Sequence, residues 1–230
     1  QEAWRLKWLG LNMVRIHIKP EEPRKLYWMD KVGVLVMADI PCFWGPPVLE
    51  AKAAYEHEMG EIIRRDLNHP SIFAWVIFNE SWGLLDRDEQ GKQVYLPETQ
   101  EWVRRMYRKA KAIDSTRLIE DNSVCRYDHV ETDINTWHFY INGYHNVRSH
   151  IREVAEKTFP GSAFNYIGEN RQNDAPLMNS ECGMVWGVDG SAGDSDLAWQ
   201  YHYMLNEYRL HEKICGFVFT EFHDVVNEFN

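Results

Sequence analysis

Short apolar runs alternate along this chain with stretches whose apolar residues recur every three to four positions. That alternation predicts repeated strand–helix units on a parallel sheet. Strands are expected at 13–18, 34–40, 72–78, 117–123, 134–140, 176–182 and 216–222. Several are apolar without interruption, as strands buried on both faces are. An opening amphipathic helix carries Trp4, Trp8 and Leu11. Helical spacing returns in Tyr55, Met59, Ile62, Ile63 and Leu67, and again in Trp102, Val103, Met106, Tyr107 and Ala110. Gly33 and Asn68-His69-Pro70 supply stop signals. Seven such strands are one short of the eight that close a barrel. The expected fold is therefore α/β, a (β/α)8 TIM barrel over residues 1–230 as one partial domain. Its first strand would precede Gln1, and its last helix would follow the final strand.

In a parallel barrel the chemistry gathers at the carboxyl ends of the strands. Two of those ends carry glutamate. The run from Ile72 to Phe78 terminates in Asn79-Glu80, and Pro176-Leu177-Met178-Asn179-Ser180 leads into Glu181. Glycoside hydrolysis uses such a pair, one acid to protonate the leaving oxygen and one carboxylate to attack or to activate water. A lone glutamate after a strand is more often a helix-terminal or surface charge. Two at the tips of buried strands weigh against that reading without removing it.

Composition narrows the partners. With 44% hydrophobic and 13% aromatic residues among 230, a sizeable core is expected. A formal net charge of −10 argues against nucleic acid or an anionic membrane as the main partner. Cys42, Cys125, Cys182 and Cys215 have neither the spacing nor the histidine neighbours of a zinc site or redox motif. The lack of a disulfide framework leans towards a reducing, cytoplasmic compartment. No stretch is apolar enough to span a membrane, and no signal peptide opens the chain. The start on Gln1 in a helix marks the chain as a piece of something longer, a parent open to export.

The strand-tip residues carry a resemblance. Asn68-His69-Pro70-Ser71-Ile72, Trp75 and Asn79-Glu80-Ser81 are similar to the N-H-P-S-I…W…N-E signature of glycoside hydrolase family 2. Val14-Arg15, Pro20, Asp30, Gly33 and Pro41 match that family's V-R…P…D…G…P pattern, and 176–183 resembles its second glutamate motif. The family includes β-galactosidases, β-glucuronidases and β-mannosidases. The resemblance implies a retaining β-glycosidase with Glu80 as general acid/base and Glu181 as nucleophile, their carboxyls roughly 5–5.5 Å apart. It implies that Arg15 keeps the nucleophile ionised and that Asn79 binds the hydroxyl beside the reacting carbon. It also implies a carbohydrate substrate and further β-sandwich domains in the parent.

Other positions stay open. Asp39, Trp137, His138, Tyr140 and Glu221 are candidate substrate contacts at strand ends. His138 and Tyr140 share a face, and one of them is expected to contact the nucleophile, Tyr140 through its hydroxyl. A structural histidine and a packed tyrosine are the competing reading. Trp82 is a candidate for stacking on a sugar ring. His17 sits one place away from the family's usual histidine, which turns it to the other strand face. The magnesium ligands of some β-galactosidases are not reproduced, so no metal and no cofactor are expected. A metal-dependent barrel hydrolase would need clustered ligands, which His17, His145 and His150 do not supply. A non-catalytic sugar-binding barrel, or an inactive fragment of a larger glycosidase, is the main alternative. The sugar itself is not legible: the Asn-x-Lys element of the family's glucuronidases lies beyond the last strand.

Overall fold

The computed structural model describes residues 1–183 and 196–223. The chain folds as two compact units, Gln1–Asp133 and Ile134–Asn230.

The first unit runs α1 (Glu2–Trp8), β1 (Met13–Ile16), α2 (Pro23–Val32), β2 (Leu35–Asp39), α3 (Leu49–Asp66), β3 (Ile72–Asn79), β4 (Asp86–Arg87), β5 (Gln93–Val94), α4 (Pro97–Ile113) and β6 (Leu118–Ser123). Its main sheet is parallel, in the order β1-β2-β3-β6. Proline at the first turn starts α2 and α4, where its missing N–H costs nothing. Gly33, at φ 74°, ends α2 in the left-handed conformation that glycine adopts freely.

The predicted faces of α3 and α4 are the buried ones, whereas in α1 Trp4 and Trp8 are exposed and Ala3 and Leu6 turn inwards instead. Tyr55, Met59 and Ile63 of α3 and Trp102, Val103, Met106 and Ala110 of α4 turn inwards. Phe78, Tyr55 and Trp102 form a three-ring cluster, with centroids 4.6 Å apart for Phe78–Tyr55, 5.2 Å for Phe78–Trp102 and 5.7 Å for Tyr55–Trp102. A buried aromatic of this kind contributes about 3–5 kcal/mol to stability.

The Asn-His-Pro-Ser segment before β3 has a structural duty. His69 Nδ1 lies 2.6 Å from Asp30 Oδ2, and the Ser71 N–H donates to Asp30 Oδ1 at 2.9 Å. Burial pushes the Asp30 carboxyl up, but Ser71 and His69 outweigh it and hold the carboxyl below its ordinary value. The motif thus ties the start of β3 to α2.

The second unit runs β7 (Asn135–Phe139), α5 (Tyr144–Lys157), β8 (Leu177–Gly183), α6 (Leu197–Arg209) and β9 (Ile214–Thr220). Its sheet is again parallel, in the order β7-β8-β9. The Asp196 side chain caps α6 by accepting from the Trp199 N–H at 2.8 Å. A core forms from Trp137, Phe139 and Leu177 of the strands, Val147, Ile151 and Val154 of α5, and Tyr203, Met204 and Tyr208 of α6.

Each expected strand is present, with ends moved by two residues at most. The last is displaced most in register: it spans Ile214–Thr220 rather than 216–222, because Ile214 already pairs with Leu177. The β4–β5 hairpin was not expected. Its strands are two residues each, all polar but Val94, and its turn is held by the Asp88 carboxylate accepting from the Gln90 and Lys92 N–H groups. Such local polar bonding leaves no hydrophobic periodicity to read. No helix among the described residues is long and apolar enough to cross a membrane. All four cysteines are free thiols.

Candidate active site

At the carboxyl ends of the first sheet, β3 closes on Asn79, and Glu80 and Ser81 follow with φ of 49° and 62°. Left-handed backbone at two successive residues with side chains costs of order 1–3 kcal/mol each. Local bonds hold it. The Glu80 N–H donates to the Ser123 carbonyl at 2.8 Å, and the Ser81 N–H to Asn122 Oδ1 at 3.1 Å. The Ser81 hydroxyl donates to Asp128 and accepts from Asn122 Nδ2 at 3.0 Å. Burial pushes the Asp128 carboxyl up, and the bond from Ser81 offsets only part of that. The Trp82 N–H donates to the Asn79 carbonyl at 2.9 Å, and Trp82 Nε1 donates to Glu80 Oε2 at 3.3 Å. Asn122 and Asp128, which fix this turn, carried no motif that sequence reasoning recognises.

Next to Asn79, Arg15 of β1 grips Asp39 of β2 with a fork: Nε to Oδ1 at 3.1 Å and Nη2 to Oδ2 at 2.7 Å. The same Nη2 donates to Asn79 Oδ1 at 2.7 Å. Arginine has donors only, so it fixes which end of the Asn79 amide faces it, and Nδ2 is the end left to donate elsewhere. His17 Nδ1 lies 3.5 Å from Asp39 Oδ2, and the Ile18 N–H donates to the same oxygen at 3.2 Å. Burial pushes the Asp39 carboxyl up, but the Arg15 guanidinium and His17 outweigh it and hold the carboxyl below its ordinary value.

A stability prediction follows. A carboxyl with a lowered folded pKa contributes stability that is fully present above its unfolded value, about 3.9, and lost as pH falls through the folded value. Asp39→Ala removes the buried carboxylate that the Arg15 fork grips, which costs about 3–5 kcal/mol. Urea denaturation of the full-length protein should read that loss at pH 7, and the gap from wild type should narrow below about pH 4. A loss under 1 kcal/mol at pH 7 would refute the assigned role.

At the carboxyl ends of the second sheet, β8 contains one residue more than its neighbours require. Trp137 pairs with Asn179, yet His138 pairs with Glu181, and on the other side Asn179 and Cys182 face Phe217 and Phe219. Ser180 is the extra residue, a bulge that reverses the alternation beyond it. Leu177 and Cys182 therefore both join the core, and Glu181 is delivered alongside His138. The Tyr140 hydroxyl donates to Glu181 Oε1 at 2.6 Å, and His138 Nδ1 lies 3.5 Å from Glu181 Oε2. Both face-sharing residues thus reach Glu181, where one was expected to.

Gly183, just beyond, has no room for a side chain: a Cβ there would lie 2.3 Å from the Thr220 carbonyl oxygen. Glu221 follows β9 directly and is half-buried. Trp137 departs from its expected place. Its indole is fully buried, stacked with Phe139 and edge-on to Tyr208, on the side of the sheet that α6 covers. Alternation puts it opposite His138, so it packs the core and is not available to a sugar.

Comparison with known proteins adds the family context. A family model described as glycosyl hydrolases family 2, TIM barrel domain, matches residues 48–229. The β-glucuronidase of Rattus norvegicus is 25% identical over 240 residues, covering 95% of this chain and 34% of that protein. A β-galactosidase of Thermoanaerobacterium thermosulfurigenes is 40% identical over 74 residues, 32% of this chain and 10% of the other. Among solved structures, a Bacteroides uniformis β-glucuronidase superposes with a TM-score of 0.75 at 22% identity, covering 98% of this chain and 28% of that one. A β-galacturonidase of Eisenbergiella tayi bound to galacturonate gives 0.73 at 18% identity, covering 96% and 39%. These two likenesses show the fold, α/β of the TIM-barrel class. The chain spans about a third or less of the length of the curated relatives named here.

Proposed function

The chain belongs to glycoside hydrolase family 2, and on that premise we propose that it carries the catalytic carboxylates of a retaining β-glycosidase, Glu80 as acid/base and Glu181 as nucleophile. The observation that carries this reading is the setting of Glu181, a carboxylate brought by a strand bulge to a strand end and held there by the Tyr140 hydroxyl at 2.6 Å. A nucleophile needs a fixed rotamer, and the Tyr140 hydroxyl on Oε1, with His138 Nδ1 3.5 Å from Oε2, supports such a setting.

In the first step Glu80 gives its proton to the glycosidic oxygen while a Glu181 oxygen bonds to the anomeric carbon. The leaving group departs as an alcohol, and the sugar is held as a glycosyl ester. In the second, Glu80 takes a proton from water, and the water oxygen displaces Glu181 with net retention. Asn79, its carbonyl end taken by Arg15, donates from Nδ2 to the hydroxyl beside the reacting carbon. Arg15 belongs to the same proposal as the cation balancing the nucleophile's charge. The names of the relatives favour a β-glucuronide or a β-galactoside as substrate. Their greater length supports further domains, β-sandwiches among them, in the full-length protein.

The test is a panel of nitrophenyl β-glycosides with the full-length protein, the first-formed sugar anomer being read by proton NMR. Hydrolysis with the β-anomer appearing first is expected. The α-anomer first would overturn double displacement, and no hydrolysis across the panel would overturn the glycosidase reading.

A further inference from the structure

Two exposed indoles stand beside Glu80. Trp82 is 37% exposed and Trp44, in the loop after β2, is 66% exposed, yet their rings are in contact with centroids 4.5 Å apart. Single exposed aromatics are ordinary on a protein surface, but adjoining ones on neighbouring strand ends form an apolar patch that gains free energy when covered.

The pair is held in place by the fold. Gly83, at φ 77°, lets the turn after Glu80 press against the loop that carries Trp44: a Cβ there would lie 2.4 Å from the Phe43 carbonyl oxygen and within 3 Å of its ring. Phe43 is anchored in turn against Tyr55 and Trp102, each ring centroid 6.2 Å away. Pro46 and Pro47 stiffen the chain just beyond Trp44. The two indoles are therefore presented on a rigid support, which lowers the entropic cost of binding against them.

The surroundings of Glu80 also have a direction. On the strand side, the residue before it is Asn79, which is buried and bonded to the buried Arg15–Asp39 pair. On its outer side lie Trp82, which bonds Oε2 through Nε1 at 3.3 Å, and then Trp44. An acid that protonates a glycosidic oxygen stands at the boundary between the sugar being cleaved and the group that leaves. The polar strand side suits the sugar's hydroxyls, and the aromatic outer side suits the leaving group. From Ile40 to Leu49 the Trp44 loop contains no charged residue, so a neutral flat group is favoured over an ionic one.

We propose that Trp44 and Trp82 form the leaving-group platform of this glycosidase and select β-glycosides whose aglycone is a neutral aromatic ring. This rests on Glu80 being the acid. Aromatic stacking of one ring on another corresponds to about threefold to tenfold in binding.

The test compares the 2-naphthyl and methyl β-glycosides of whichever sugar the full-length protein hydrolyses. Trp44→Ala should lower kcat/KM for the naphthyl glycoside about threefold to tenfold more than for the methyl glycoside. Trp44→Phe, which keeps a flat face, should recover most of that selectivity. If Trp44→Ala moves both substrates alike, or neither, the platform is wrong. Glu80→Gln separates the premise from the inference. Should it leave methyl glycoside hydrolysis intact, the acid assignment falls. Should it abolish that hydrolysis while Trp44→Ala shows no preference, only the platform falls.

Discussion

Replacing Glu181 by glutamine lowers kcat by about 10⁴-fold or more, the scale on which loss of a nucleophile is felt in covalent catalysis. The substitution keeps the size of the side chain, and the amide oxygen still accepts the Tyr140 hydroxyl that now bonds Oε1 at 2.6 Å. The Ser180 bulge, set by pairing with β7 and β9, is untouched. Binding should therefore persist with KM changed by a small factor, while no glycosyl ester forms because a neutral amide is a poor nucleophile. The truncation Glu181→Ala gives the sharper signature. With azide supplied, turnover should partly return and yield a glycosyl azide of inverted configuration, since one displacement replaces two. Turnover of Glu181→Gln within tenfold of wild type would remove this residue from the reaction.

The second large effect is at Glu80. Loss of general acid catalysis costs about 10²- to 10⁴-fold, and the cost must depend on the leaving group. An alkyl alcohol leaves only with a proton, so Glu80→Gln should fall near the upper end of that range on an alkyl glycoside. A dinitrophenolate leaves unaided, so the first step on its glycoside should be nearly spared. The limb of the pH–rate profile assigned to the acid should flatten as well. The left-handed turn that carries Glu80 depends on Ser81, Asn122 and Asp128 rather than on its own carboxylate, so the variant should fold normally. A loss of equal size on both substrates would mean that Glu80 does not deliver the proton.

Much of this was legible in the chain because parallel strands are long apolar words. The run from Ile72 to Phe78 reads as a strand buried on both faces, and its end at Asn79-Glu80 marks a strand tip. The buried faces of α3 and α4 follow from apolar residues at helical spacing, and the family resemblance from spaced motif residues between Asn68 and Ser81. Asp30, in the sequence only one position of a pattern, gains its reason from His69 and Ser71, which it binds across 39 and 41 residues.

The rest lay outside any local signal. Period-two alternation assigns Glu181 to the same face as Leu177, and one extra residue, Ser180, sends it to the other. That bulge is imposed by hydrogen bonding to β7 and β9, neither of which is contiguous with it. Trp137 looked like a sugar contact because it is aromatic and near a strand end, but its face is chosen by α6 packing on the sheet. Trp44 and Trp82 are 38 residues apart by number and meet because β2 and β3 are neighbours. The sequence by itself determined where the seven main strands lie, to within two residues at their ends, and which family they resemble, since those depend on the order of residues along a short span. The direction in which each tip residue points was decided only by the tertiary structure, because it depends on bonds and packing between segments distant in the chain.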